Sequence, residues 1–137
     1  MEFIEDRLTY EEYCELRSSV GWNNWFEGQT RRSIENSLHI VTLREGELLL
    51  GMGRLIGDGM YFLLCDVIVR KEYQGQGLGS QIVDHLVAYV EAQTPEGGRS
   101  SIQLIAEPGK EDFYLKKGFK LIPHEHCGSG MRKVIRR

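Results

Sequence analysis

Leu63-Leu64-Cys65-Asp66-Val67-Ile68-Val69-Arg70-Lys71-Glu72-Tyr73-Gln74-Gly75-Gln76-Gly77-Leu78-Gly79-Ser80-Gln81-Ile82-Val83 is the stretch that decides how this chain is read. Its hydrophobic period changes midway. Up to Val69 it is a near-continuous apolar run, the pattern of a strand covered on both faces. From Leu78 onward, Leu78, Ile82, Val83, Leu86, Val87 and Val90 recur at helical spacing. Between the two lie Gly75, Gly77 and Gly79. A strand that enters a helix through glycines is physically an anion site. The first helical turn has N–H groups without acceptors and carries the positive end of the dipole. Glycine tolerates positive φ and lets the backbone come close to a ligand. A phosphate or pyrophosphate fits such a turn; so does a glycine-rich turn with no ligand.

Two nucleotide motifs can be set against it. A P-loop needs lysine and then serine or threonine after its last glycine, and here Ser80 follows Gly79 directly. A dinucleotide fingerprint needs G-x-G-x-x-G in the first strand–helix turn. Counted from Gly75 the third position is Ser80, and several predicted elements precede the loop.

Upstream, Asp58-Gly59 is a hairpin signal that joins predicted strands 48–56 and 60–70. Gly51 and Gly53 inside the first of these predict a bulge or a close backbone approach. Glu45-Gly46 predicts a turn after a strand at 39–43. Nearer the start, Thr9 and Glu12 have capping-box spacing. They open a helix over 9–20 with Tyr10, Tyr13, Cys14, Arg17 and Val20 on one face. A more polar helix is predicted at 28–37 and a short strand at 2–7. Downstream, Pro95 and Gly97-Gly98 end the long helix. A strand follows at 101–106, then a short helix at 111–117 stopped by Gly118. Segments 119–122 and 131–135 read as a last pair of strands around a loop with His124, His126 and Cys127. The order predicts one α/β domain over residues 1–137. Its sheet is mixed, mostly antiparallel, of about seven strands flanked by about four helices.

With 41% apolar and 27% charged residues among 137, the composition is globular. A net charge of -3 argues against a general nucleic-acid binder. No apolar run reaches the roughly 18 residues a bilayer requires. Met1 to Asp6 lack the basic and apolar regions of a signal peptide, so a cytoplasmic protein without membrane partners is expected. Cys14, Cys65 and Cys127 are odd in number and unevenly spaced, which suits a reducing compartment. Arg132, Lys133, Arg136 and Arg137 read as a solvated strand edge. His124, His126 and Cys127 lack a fourth ligand at zinc spacing, and no metal is expected.

Gln74-x-x-Gly77-x-Gly79 after Val67-Ile68-Val69 resembles the acetyl-CoA signature of the GNAT superfamily of N-acetyltransferases. Phe113-Tyr114-Leu115-Lys116-Lys117-Gly118-Phe119 resembles that family's F-Y-x-K-x-G-F segment. Two motifs in this order, with a helix and a strand between them, are more specific than either alone. The resemblance covers about 63–119; residues 1–60 match in order of elements only. Gly128-Ser129-Gly130-Met131 also resembles a bacterial subgroup.

The resemblance implies a GNAT-type domain whose strands 60–70 and 101–106 splay apart at one end. The pantetheine arm of acetyl-CoA, the cosubstrate, would pair with the backbone of Val67, Ile68 and Val69. Its pyrophosphate would sit on the amides of Gln74, Gly75, Gln76, Gly77, Leu78, Gly79 and Ser80. A primary amine, on a small molecule or a peptide, would attack the thioester directly, without a covalent enzyme intermediate. Tyr114 matches the tyrosine that gives a proton to the leaving thiolate. Asp66, the one carboxylate in the apolar strand, either faces the cleft as a base or caps a bulge. Leu63 stands where members that act on lysine side chains carry glutamate, which counts against histone-type chemistry. Trp25, Phe26 and Glu27 fall in the segment that lines the acceptor pocket. Trp22, Trp25 and Phe26 either hold an amine by cation–π contact or pack in the core. Relatives pair through their C-terminal strands, so a homodimer is a further implication. The alternative function is a catalytically weak acyl-CoA sensor or partner module.

Overall fold

Helix α1 (Tyr10–Ser19) begins where Thr9 leaves the extended backbone. The Thr9 hydroxyl accepts from the Glu12 amide at 3.1 Å, and the Glu12 carboxylate accepts from the Thr9 amide at 3.0 Å. Both halves of the predicted capping box are therefore made. The computed structural model describes all 137 residues. Strand β1 (Glu2–Glu5) precedes α1, and α2 (Glu27–Glu35) follows it. Next come β2 (His39–Glu45), β3 (Leu48–Gly57) and β4 (Tyr61–Val69). Asp58 closes the β3–β4 hairpin: its Oδ1 accepts from the amides of Met60 and Tyr61, both at 2.9 Å. A 3₁₀ turn at Lys71–Tyr73 leads to α3 (Leu78–Gln93), β5 (Ser101–Gln103) and α4 (Glu111–Lys116).

The sheet order is β1-β2-β3-β4-β5. The first four strands are antiparallel, and β5 runs parallel to β4. Alternation along β3 sends side chains to opposite faces. On one face Met52 joins Tyr13 and Leu16 of α1, with Leu49 and Ile68, in a buried cluster. On the other, α3 lies against the strand backbone. A Cβ at Gly53 would stand 2.7 Å from Ile82 Cγ2 and 2.8 Å from Leu86 Cδ1, so glycine is required there by close approach. The bulge predicted in this strand also exists: against β2, Leu43 pairs with Gly51 and Arg44 with Leu49, so Leu50 is the extra residue. A second shift lies against β4, between Met52 and Arg54, where Asp66 has φ 54°.

Five strands form, not the predicted seven. Segments 119–122 and 131–135 form no ladder. Apart from Phe119 their apolar residues are exposed, with Leu121 60%, Met131 94% and Ile135 75%. A short apolar segment makes a strand only when a partner and a buried face accept it. The loop between them makes a single bridge, with His124 and Cys127 exchanging backbone bonds of 3.0 Å. Arg132, Lys133, Arg136 and Arg137 are exposed outside any strand, so they edge no sheet. The chain divides into two compact units, Met1–Leu104 and Ile105–Arg137. No helix is long and apolar enough to cross a membrane.

Candidate active site

The parallel ladder joins Tyr61 to Ser101, Phe62 to Ile102 and Leu63 to Gln103, and goes no further. Strand β4 continues to Val69. Its β5-side edge beyond Leu63, including Val67, Ile68 and Val69, therefore has no strand alongside. That edge runs into the glycine turn. Gln74 fixes the turn by donating from Nε2 to the Val69 carbonyl at 2.8 Å. Gly75 and Gly77 have φ of 80° and 79°, and a Cβ on either would meet nothing within 4 Å. Gly77 caps α3 in the left-handed region, and the first turn of α3 holds no acidic residue. The first helical bond runs from the Gln81 amide to the Gly77 carbonyl at 3.2 Å. The amides of residues 75–79 have no acceptor in the protein. The turn thus offers open N–H groups at a positive helix end, which suits a pyrophosphate.

Asp66 sits on the bulge beside this edge. Its Oδ1 accepts from Arg17 Nη1 at 2.5 Å; its Oδ2 accepts from Tyr13 Oη and Arg54 Nε, both at 2.9 Å. The Arg17 and Asp66 side chains are only 10% and 8% exposed, and that of Arg54 6%. Burial pushes the Tyr13 phenol up to about 12, with the Asp66 carboxylate adding to it. Tyr13 and Arg54 both line a cavity of about 410 Å³, together with Trp25, with Gln29, Thr30, Arg32 and Ser33 of α2, and with its C-cap Asn36. Asp66 is not itself on the lining. Of the two readings left open for it, the bulge is the one its backbone adopts, with all its hydrogen bonds going to side chains of the protein.

The predicted acceptor residues separate. Trp25 lines the cavity; Phe26 and Glu27 do not. Phe26 is 77% exposed and its ring lies over Gly28, so it packs in no core. Glu27 pairs with Arg31 at 3.0 Å, one turn along α2. Trp22 turns inward to the α1 cluster and stacks on the Arg17 guanidinium at 5.2 Å. The three aromatic residues therefore form no common cage.

Tyr114 lies on α4, in the second unit. Its ring meets Phe113 and Phe119 edge-on, at 4.9 and 5.8 Å between centroids. Burial, and then the Glu107 carboxylate, raise its phenol above the ordinary tyrosine value, so it stays protonated at neutral pH. Cys65 is pushed up to about 11 by burial, which keeps it a thiol rather than a nucleophile. No group of three or more His, Cys, Asp or Glu side chains is placed to hold a metal.

Arg54 and Arg17 were not among the predicted site residues. A signal for Arg54 was present: it is the one charge in Leu48–Gly57, as Asp66 is the one charge in Tyr61–Val69. The Asp58-Gly59 hairpin brings these two lone opposite charges side by side.

The fold agrees with the comparisons. The acetyltransferase (GNAT) domain family matches residues 15–134. This chain belongs to the GNAT acetyltransferase family. An uncharacterized N-acetyltransferase, ycf52-like, of Prochlorococcus marinus is 31% identical over 114 residues, 80% of this chain and 61% of the relative. The chain thus spans less than two thirds of that relative's length. Among solved structures, a probable acetyltransferase of unknown function, SA2161, from meticillin-resistant Staphylococcus aureus is 34% identical, with a TM-score of 0.83. The match covers 97% of this chain and 98% of that one. A GNAT family acetyltransferase from Brucella melitensis, solved with acetyl-CoA, shares the fold at a TM-score of 0.58 and 18% identity, over 87% of this chain and 83% of that one.

Proposed function

We propose that the chain transfers the acetyl group of acetyl-CoA to a primary amine. The observation that carries this reading is the free edge of β4 running directly into an open glycine turn. The pantetheine arm, with its amides, is suited to pair with Val67, Ile68 and Val69 as an added strand. The amides of residues 75–79 are suited to its pyrophosphate. The Brucella family member that binds acetyl-CoA supports the choice of cosubstrate.

Acetyl-CoA supplies a thioester, which a neutral amine attacks directly. The 410 Å³ cavity is where the amine sits, with Trp25 on its wall. Asp66 joins the two halves of the site. Its backbone precedes Val67 on the free edge, and its carboxylate holds Tyr13 and Arg54 at the cavity. Asp66 is therefore a positioning residue in this reading. Tyr114 gives its phenol proton to the departing CoA thiolate while the proton shed by the amine passes to water, a role supported by its motif and its raised, protonated phenol. Residues 1–137 act as one GNAT domain, since the family match spans both units.

The test is thiol release from acetyl-CoA across a panel of amines, with CoA binding measured separately by calorimetry. Release that depends on an amine is expected. Tight CoA binding with no release for any amine would replace the enzyme with the acyl-CoA sensor.

A further inference from the structure

We infer that the acceptor is an amine that also carries an anionic group, a carboxylate or phosphate, held by Arg54 and Arg32. This deepens the reading of the cavity as the acceptor site, and rests on it.

Three buried arginines can be compared by what their nitrogens do. Arg44 Nε bonds Thr42, its Nη1 bonds Glu12, and its Nη2 bonds Glu12 and the Arg7 carbonyl. Arg17 spends Nη1 on Asp66, and Nε and Nη2 on the Asn23 carbonyl. Arg54 uses Nε on Asp66 and Nη1 on the Ser33 carbonyl and Ser37 hydroxyl, at 3.2 and 2.8 Å. Its Nη2 has no partner in the protein. That nitrogen is not sealed away, because the one buried side-chain nitrogen or oxygen without a bond is His39 Nε2. Arg54 lines the cavity, so its spare donor is available to whatever fills the cavity.

Charge points the same way. Arg17 and Arg54 face one carboxylate, Asp66, which leaves one buried positive charge in excess. Arg32, on the exposed side of α2, lines the same cavity without an ion pair. No aspartate or glutamate is on the lining, and Glu27 of α2 is held by Arg31. The other α2 groups, Gln29, Thr30, Ser33 and Asn36, are uncharged hydrogen-bonding residues. Buried charge without a counter-ion is costly, and a guanidinium pairs well with carboxylate or phosphate. An anion on the acceptor would compensate Arg54 and fix the amine's orientation. A diamine would meet two guanidiniums and no acid.

The test uses the full chain with acetyl-CoA at saturation and matched amines. Thiol release is compared for 4-aminobutyrate against butylamine, and for 2-aminoethyl phosphate against ethylamine, with 1,4-diaminobutane as the dication. In each pair the anionic member is expected to show kcat/KM about 10-fold or more above its partner, the worth of a charged hydrogen bond. The larger ratio of the two pairs identifies carboxylate or phosphate. Arg32→Gln should cut that ratio several-fold and Arg32→Glu should abolish it; thermal melting verifies that these surface variants fold. Equal kcat/KM within pairs, or a ratio indifferent to Arg32→Glu, overturns the inference and leaves acetyl transfer standing. No release with any of the amines removes the acetyl-transfer reading instead. The anion site is then judged by the Trp25 indole N–H signal, assigned with Trp25→Phe. A saturable shift with either anionic member but not its neutral partner supports the site; no shift with either overturns it.

Discussion

Arg54 Nε donates to Asp66 Oδ2 at 2.9 Å, from one lone charged residue to another on neighbouring antiparallel strands. The bond sits at a change of register. Met52 faces Ile68 and Arg54 faces Cys65, so β4 holds one extra residue against Gly53. Asp66 takes up the extra length with φ 54°, a conformation asparagine and aspartate tolerate better than most residues. The bulge follows shortly after the last β4–β5 pair, Leu63 with Gln103. The local twist that bulges add is what an opening between those strands needs. The same residue thus shapes the strand edge and holds the arginine of the cavity.

Asp66→Asn should be among the most destabilising single changes in this chain. It leaves Arg17 and Arg54 buried without their carboxylate, and breaking a buried pair this way costs about 3–5 kcal/mol. Urea unfolding measures it. A loss under about 1 kcal/mol would mean that solvent reaches the cluster.

Gly77→Glu should remove detectable CoA binding, read by calorimetry. Gly77→Ala is the companion variant. Both place a Cβ at φ 79°, a backbone strain of about 1–2 kcal/mol, in a spot with nothing within 4 Å. Only the glutamate adds a carboxylate at the amides of the turn. Equal CoA affinity in the two variants would move the phosphate site elsewhere.

Tyr114→Phe should lower kcat about 100-fold, within the usual worth of a positioned proton donor, while CoA affinity changes little. The acid works only when protonated. Because burial and Glu107 raise its phenol, the alkaline fall in kcat should lie above the ordinary tyrosine value of about 10. The variant should lack that limb. A rate at saturation equal to wild type would strike Tyr114 from the mechanism.

What could be read from the residues alone was whatever local chemistry settles. Thr9 and Glu12 make their box within one turn, Asp58-Gly59 closes its own hairpin, and Gly75 and Gly77 adopt the positive φ their type permits. What depends on partners was not readable. Asp66 could have been a free base or a bulge residue until the β3–β4 register was known. Segments 119–122 and 131–135 carry apolar residues a strand could use, but composition does not supply a neighbouring strand. Trp25 and Phe26 are adjacent in the chain, yet the start of α2 leaves one on the cavity and the other over Gly28. Arg54 was within reach: a single charge in each of two strands joined by a tight hairpin implies a pair.

Gly53→Ala tests the seat of α3, the helix that carries the glycine turn. The added methyl would lie 2.7 and 2.8 Å from Ile82 and Leu86, both wholly buried. Overpacking of this kind costs about 1–3 kcal/mol. Gly128→Ala, with nothing within 4 Å of its Cβ, should stay within about 0.5 kcal/mol. Similar unfolding midpoints for the two variants would mean that α3 can move off β3 without penalty.

Glu12 should set part of the acid sensitivity of the fold. Its carboxyl is lowered from 4.5 to about 2, first by the hydrogen bond from the Arg44 guanidinium and then by the Thr9 amide. A carboxylate depressed in the folded state stabilises above its unfolded value, and the contribution fades as pH falls toward the folded value. The window therefore runs from about 4.5 down to about 2. Glu12→Gln removes the contribution at every pH and leaves Arg44, 1% exposed, without its acid. The gap in stability between wild type and Glu12→Gln, from urea midpoints, should be constant between about pH 7 and 5 and narrow steadily below. A gap as wide near pH 3 as at neutrality would show that Glu12 holds its place through the capping box alone, as glutamine also can.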